Sequence, residues 1–258
     1  MSSSEQHRER STAHVSALLA VSTVIFALRK DEATGDLATV WLPLVRRIRE
    51  PFEGCWALPG GPLHLDENLA FAAARTLHDT TGLTPSYLEQ LYAFGDVTRS
   101  GAPGEPASAG DRRVVSIVYW ALVRSDEAAR ASVGENVQWF PADELPPLAF
   151  DHNLIVEYAL WRLRTKMEYS RIAHAFLGET FTLAQLREVH EAVLGRPLDP
   201  ANFRRTIEGS GAVVATDRYL TGTRHRPPRL YRYNDSIDLA DQGPLPRQQH
   251  PFEKRREL

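Results

Sequence analysis

Asn202, Arg204 and Arg205 fall in the stretch Pro200-Ala-Asn-Phe-Arg-Arg-Thr-Ile-Glu208, where only Phe203 and Ile207 are large and apolar. A helix turns about 100° per residue, so Phe203 and Ile207 share one side. Arg205, Ala201 and Asn202 then face away from that side, with Arg204 on the flank. Arginine matches guanine and asparagine matches adenine in a major groove, and arginine also grips phosphates. Arg224 and Arg226 lie shortly downstream, beside Arg218 and His225. A second stretch, Gly60 to Leu83, sets Glu67, Arg75 and Asp79 on an alanine-rich run behind a Gly-Gly pair. Glu67 and Arg75 are eight residues apart, about two helical turns. His64, His78 and His152 have no ligand-spaced partners, so they are expected to face solvent or to be hydrogen-bonded.

The elements that must position these residues are legible from pattern. Val15–Leu28, Thr39–Val45, Leu88–Val97 and Val114–Val123 read as strands. Cys55–Pro59 reads as a further strand, ending at a sharp turn over Gly60 and Gly61 with close backbone approach. Cys55, beside Trp56, is expected in the core. Ala70, Ala73, Ala74 and Leu77 give the next helix a small packing face, with Asp66 as its cap and Gly82 as its stop. Asn153–Lys166 reads as a helix.

Beyond Lys166 the chain changes to short helices and one hairpin. Thr182 with Gln185 forms a capping box, and Phe181 against Leu186 a hydrophobic staple. Gly195 ends that helix. Asp199 caps the next, which starts at Pro200 and stops at Gly209. Two helices meeting across so short a turn, followed by strands Ala212–Thr216 and Arg229–Tyr233, predict a winged helix-turn-helix with a basic wing.

The 258 residues carry a net charge of −3. Residues 1–161 hold 13 Lys and Arg against 21 Asp and Glu; residues 162–258 hold 17 against 12. An acidic front and a basic back point to two domains with different partners. No run is long enough to span a membrane. The polar start lacks a signal-peptide core, and the single cysteine fits a reducing cytoplasm. The expected organisation is a flexible 1–11, a ligand-sensing domain over 12–165, a DNA-binding domain over 166–233 and a polar, disordered 234–258.

The register of Gly61, Glu67, Arg75, Leu77, Gly82 and Leu83 resembles the Nudix box of nucleotide-diphosphate hydrolases. Arg46–Gly61, Leu88–Asp96, Trp139–His152 and Asn202–Arg205 extend the likeness, and the whole resembles the Nudix-related transcriptional regulators, the NrtR family. The resemblance implies an α/β fold: a Nudix α/β/α sandwich followed by a C-terminal winged helix-turn-helix domain. It implies a dimeric repressor of NAD biosynthesis and salvage genes on a palindromic double-stranded DNA operator. ADP-ribose or a related nucleotide would act as effector, with no cofactor required.

It makes Glu67 and Arg75 a structural pair, and places Thr76, Asp79 and Thr80 where Nudix hydrolases carry metal-binding glutamates. Magnesium takes hard oxygen ligands, usually carboxylates plus substrate phosphates. Two threonines and one aspartate make a poor cage, so neither a catalytic nor a metal site is expected. A diphosphate then needs cations and backbone donors. Arg47, Arg49, Trp56, Gly60, Gly61 and Asp79 are the expected effector contacts, with Phe52 as a second ring that could stack a base. Thr182, Asn202, Arg204, Arg205, Arg224 and Arg226 are the expected DNA contacts. The competing expectations are an active ADP-ribose pyrophosphatase with an appended helical domain, in which Glu67 assists Asp79, and a protein-protein scaffold.

Overall fold

The computed structural model describes residues 17–29, 38–85, 87–97, 99, 113–129, 131, 135–169, 172–222 and 227–234. The 1–11 segment, the 234–258 tail beyond Asn234, and the expected contacts Arg224 and Arg226 lie outside them. No helix among the described residues is long and apolar enough to cross a membrane.

The first strand, β1 (Ala17–Arg29), is the axis of the molecule. It pairs in parallel with β6 (Arg113–Val123) over its length and antiparallel with β2 (Thr39–Arg46). The order β3-β2-β1-β6-β5 is completed by β3 (Trp56–Ala57) and β5 (Tyr87–Phe94). Strand β4 (Gly60–Pro62) adds to β1, and β7 (Val137–Pro141) to β2. Side chains alternate across a strand, and β1 shows what that does here. Val24, Phe26 and Leu28 enter the large core, whereas Ile25 and Ala27 enter a smaller one on the other face.

Helix α1 (Leu69–Thr81) packs on that second face through Ala70, Ala72, Ala73, Ala74 and Leu77. The alanines let it lie close to the sheet. The first correction to the sequence reading is its cap. Asn68, not Asp66, accepts from the Phe71 amide at 2.9 Å, and the helix starts at Leu69. The turn before it is held back by Glu67, whose carboxylate accepts from the His64 amide. The stop at Gly82 is as expected, with φ 68°. A four-residue helix, α2 (Ser125–Ala128), follows β6.

On the opposite face lies α3 (His152–Tyr169), which buries Ile155, Val156, Ala159, Leu163 and Met167. A 3₁₀ turn (Ile172–Phe176) leads into α4 (Leu183–Leu194), α5 (Pro200–Gly209) and the hairpin β8 (Val213–Tyr219) with β9 (Arg229–Tyr233). Thr182 Oγ1 accepts from the Gln185 amide and Gln185 Oε1 accepts from the Thr182 amide, which is the expected capping box. Helix α5 runs one residue past its expected end, through Gly209, and the left-handed residue is Gly211. Phe181, Leu186, Val189, Val193 and Tyr231 join the same apolar cluster as the sheet residues Val40, Leu42 and Trp120. The winged helix therefore shares one continuous core with the sheet.

Candidate functional site

Glu67 and Arg75 form the pair that the register implied. Arg75 Nη2 donates to Glu67 Oε1 at 2.7 Å and Nε to Oε2 at 2.9 Å. Only 4% of the Glu67 side chain is exposed. The Arg75 guanidinium holds the Glu67 carboxyl down to about 2, from an ordinary 4.5. The turn from Leu63 to Asn68 is thereby strapped to α1.

The neighbouring oxygens point elsewhere. Thr76 is buried and its hydroxyl donates to the Ala72 carbonyl at 2.8 Å. Thr80 Oγ1 donates to the Thr76 carbonyl at 2.7 Å. Such bonds back to the preceding turn are the usual refuge of a helical threonine. Asp79 is solvent-exposed, 3.8 Å from Arg75 Nη1. Among the described residues, no three of His, Cys, Asp and Glu gather so as to hold a metal ion. The two threonine hydroxyls are thus spent on their own helix, and Asp79 is the one carboxylate among these three positions.

Gly60 and Gly61 correct a second expectation. They do not form a sharp turn; they are strand β4, with Gly60 opposite Ser22 and Gly61 opposite Val21. Close approach is confined to Gly60, where a Cβ would stand 2.9 Å from Ser22 Oγ and from the Val21 carbonyl. Gly61 has open space around it.

Arg47 and Arg49 lie on the loop between β2 and β3. Arg47 is partly absorbed by that loop, donating from Nε to the Pro51 carbonyl at 2.8 Å and from Nη2 towards the Arg49 carbonyl. Its guanidinium lies over the Phe150 ring, 4.7 Å from the centroid. Phe52 meets the same ring edge-on at 4.8 Å. Phe52 and Phe150 have φ of 67° and 57°. A bulky residue in the left-handed region is strained, and such residues concentrate at functional sites. Arg49 is exposed at the tip of the loop.

Trp56 packs edge-on against Phe140 at 5.1 Å, against the large core but half-buried. Cys55 is exposed, which overturns the expected core position. It ends a hairpin in which the Arg47 amide donates to the Cys55 carbonyl, and that turn points to water. Asp79 makes no bond to Arg47 or Arg49; its described partner is Arg75.

Three residues carry roles that the sequence did not assign. Arg99 is buried and aims Nε at both Asp151 carboxylate oxygens, at 2.8 and 2.9 Å, across 52 positions of chain. Phe150 takes the Arg47 cation. His152, buried at the start of α3, accepts from the Leu58 amide through Nδ1 at 3.0 Å. Burial, then the charges of Arg99 and Arg47, push its pKa from 6.5 down to about 3. His152 is thus a neutral acceptor that locks the strand before Gly60 to α3. Of the two positions expected for His152, solvent-facing or hydrogen-bonded, it takes the second, and it is buried as well.

The DNA-facing expectations occupy α5. Phe203 and Ile207 are half-buried against the large core, so the opposite face is outward as the helical angle required. On it Arg205 Nη2 donates to Asn202 Oδ1 at 2.6 Å. Arg204, on the flank, pairs with Glu208 at 3.2 Å. Glu208 also accepts from Tyr231 Oη on β9 at 2.8 Å, which ties α5 to the hairpin. Thr182 is buried, its hydroxyl engaged with Gln185.

Residues 19–159 match the model of the NUDIX domain, and residues 173–233 match that of the NrtR DNA-binding winged helix domain. The chain is 31% identical over 224 residues to the ADPR responsive transcriptional repressor NtrR of Acinetobacter baylyi, covering 84% of this chain and 82% of that protein. It is 32% identical over 120 residues to the ADP-ribose pyrophosphatase of Methanocaldococcus jannaschii, covering 46% of this chain and 66% of that one. The fold superposes on Shewanella oneidensis NrtR, solved with a 27mer DNA, with a TM-score of 0.66 and 33% identity over 84% of this chain and 93% of that one. A Nudix frame strapped by Glu67 and Arg75, joined through one core to a winged helix with an outward Arg205–Asn202 pair, makes this chain a member of the NrtR family of Nudix-related transcriptional regulators.

Proposed function

We propose that this chain is an ADP-ribose-responsive repressor that binds operator DNA as a two-fold dimer, in genes of NAD biosynthesis and salvage. Residues 12–165 sense the nucleotide and 166–233 hold the DNA. One observation carries the reading: the Nudix frame is intact while the Thr76 and Thr80 hydroxyls are turned into their own helix. A frame that keeps its shape without a carboxylate cage is suited to binding a nucleotide rather than cleaving it. Arg47, Arg49, Trp56 and the β4 backbone at Gly60 and Gly61 would receive the effector, with Phe52 and Phe150 as stacking surfaces. Asp79 sits at the far end of α1 and is the least connected member of this set.

The test is a gel shift on the DNA upstream of the protein's own gene, with and without saturating ADP-ribose. Allosteric couplings are typically about 1–3 kcal/mol, so the apparent affinity should move about 5- to 150-fold. An unchanged shift with ADP-ribose, NAD and their phosphorylated relatives would leave a constitutive repressor. The similarity to a pyrophosphatase supplies the second reading, an active hydrolase. Assayed with Mg²⁺ or Mn²⁺, the chain should release no AMP above background, and steady turnover would favour that second reading.

A single α5 covers too few base pairs to be selective, so two copies must place theirs in major grooves about one helical turn, or a multiple of it, apart. Arg205 and Asn202 reach base edges, Arg204 stays with Glu208 beside the backbone, and the amino end of α4 at Thr182 faces phosphate. Arg224 and Arg226 would add phosphate contacts from the wing. Arg205→Ala should cost about 1–3 kcal/mol on operator DNA and relax selectivity at one position in each half-site. Equal losses on operator and scrambled DNA across a salt series would make Arg205 a phosphate contact only.

A further inference from the structure

Glu191 is a buried carboxylate near the end of α4, where the chain turns towards α5. Its Oε1 accepts from the Leu198 amide at 2.8 Å and from Arg187 Nη1 at 3.3 Å. Arg187 Nη1 also donates towards the Leu198 carbonyl at 3.4 Å. Arg187 and Glu191 are four residues apart, so they stand on one side of α4. Together they hold both backbone polar groups of one residue in the turn. The Glu191 carbonyl accepts from the Gly195 amide at 2.9 Å, where the chain turns left-handed at φ 66°. One residue therefore closes α4 and grips the chain just before α5.

A buried carboxylate is costly unless it is paired and hydrogen-bonded, and an apolar side chain would fill the same space without that cost. What the carboxylate adds is a fixed place for Leu198. Leu198 precedes Asp199, the cap of α5. Asp199 Oδ1 accepts from the Asn202 amide at 2.8 Å, and its carbonyl accepts from the Phe203 amide. The path Glu191, Leu198, Asp199, Asn202 thus runs from α4 into the first turn of α5. The rest of α5 is held by other means. The His190 ring of α4 meets Phe203 edge-on at 5.1 Å, and Tyr231 Oη ties the carboxyl end through Glu208. A recognition helix reads base edges with residues near its amino end, which is the end that Glu191 holds.

We propose that Glu191 is a positioning residue for base readout. Clamped with Arg187 on Leu198, it sets the amino end of α5 so that Asn202 and Arg205 meet base edges. Being buried, it acts through α5 and not on DNA. The proposal rests on the base-reading role given above to Arg205 and Asn202. Phosphate contacts set orientation without reading sequence, whereas hydrogen bonds to base edges weaken steeply when misaligned. Loosening the clamp should therefore cost selectivity more than general affinity for DNA.

The experiment is fluorescence anisotropy of the full chain on operator DNA and on a scrambled duplex, at one salt concentration, for the native sequence, Glu191→Leu, Glu191→Gln and Arg205→Ala. Glu191→Leu should lose at least about 10-fold on operator DNA, the scale of one misplaced base contact in each half-site. On the scrambled duplex, held by phosphate contacts, it should lose no more than about 3-fold. Glu191→Gln keeps an oxygen for the Leu198 amide and should recover most of the operator affinity. Equal losses of Glu191→Leu on both duplexes would make Glu191 a stabilising residue only and overturn the proposal. A glutamine variant as weak as the leucine variant would overturn the bond to Leu198 as the cause. If Glu191→Leu fails to melt cooperatively, Arg187→Met, which loosens the same clamp, decides by the same two affinities. Arg205→Ala separates the two readings. If it costs both duplexes equally, the base-reading role fails and the proposal with it. If it lowers selectivity while Glu191→Leu does not, the base-reading role stands and the proposal for Glu191 falls.

Discussion

Arg75→Met should lower the free energy of unfolding by about 1–3 kcal/mol, the usual cost of leaving a buried acceptor without its donor. The side chain of Glu67 is 4% exposed and takes two bonds from Arg75. Without the guanidinium, the His64 amide still donates to that carboxylate. A charge in that position either stays at high cost or takes a proton. The loss should shrink in the double variant Arg75→Met, Glu67→Leu, which removes the stranded charge and replaces it with an apolar side chain. Urea melts of the native chain, both single variants and the double variant close the cycle. A loss below about 1 kcal/mol for Arg75→Met would mean that the Leu63–Asn68 turn is held by packing alone. If the frame now serves only to shape a binding surface, ADP-ribose should also fail to stabilise Arg75→Met.

Acid should unfold the protein through His152. Its folded pKa, about 3, lies below the ordinary 6.5, so the fold prefers the neutral ring. The stabilisation is fully present above pH 6.5 and is lost as pH falls towards 3. The slope is about 1.4 kcal/mol per pH unit for one group, so the cumulative loss across that window is on the order of 4 kcal/mol. Glu67 has the same sign in a lower window: its depressed pKa stabilises the fold above pH 4.5, and that contribution fades towards pH 2. His152→Asn separates the two, because an amide oxygen can still accept from Leu58 but does not titrate. The variant should start less stable at pH 7 and show a flatter pH dependence between 6.5 and 4.5. Parallel stability curves for variant and native chain would assign the acid sensitivity to other groups.

His152 locks Leu58 to the start of α3, Arg99 clamps Asp151 one residue earlier, and Arg47 covers Phe150 before that. Three successive residues therefore fasten Arg47, Arg99 and Leu58 to the helix that leads into the winged helix. Further along α3, buried Lys166 donates to Glu89 of β5 at 2.7 Å and Arg164 to the Val193 carbonyl of α4. A ligand that shifts Arg47 or the Phe52 loop acts on a helix already bonded at both ends.

The sequence by itself determined what depends on near neighbours. The caps at Thr182 and Asp199, the stop at Gly82, the alanine face of α1 and the Phe203/Ile207 side of α5 are all set within a few residues. Periodicity and turn chemistry act at that range. The register of Glu67 with Arg75 is likewise local, eight residues from the turn before α1 into its second turn. Local rules failed where two short-range options competed: Asp66 and Asn68 are both capable caps, and the strap on Glu67 chose Asn68. They failed again at Cys55, whose apolar neighbours say nothing about which way a hairpin end faces. Only the tertiary structure decided that Gly60 must pass Ser22 as a strand, that Arg99 meets Asp151 across 52 residues, and that His152 accepts from Leu58 across 94. Each of these depends on which strands lie side by side. That order is fixed by burying β1 on both faces at once, a property of the whole core rather than of any segment.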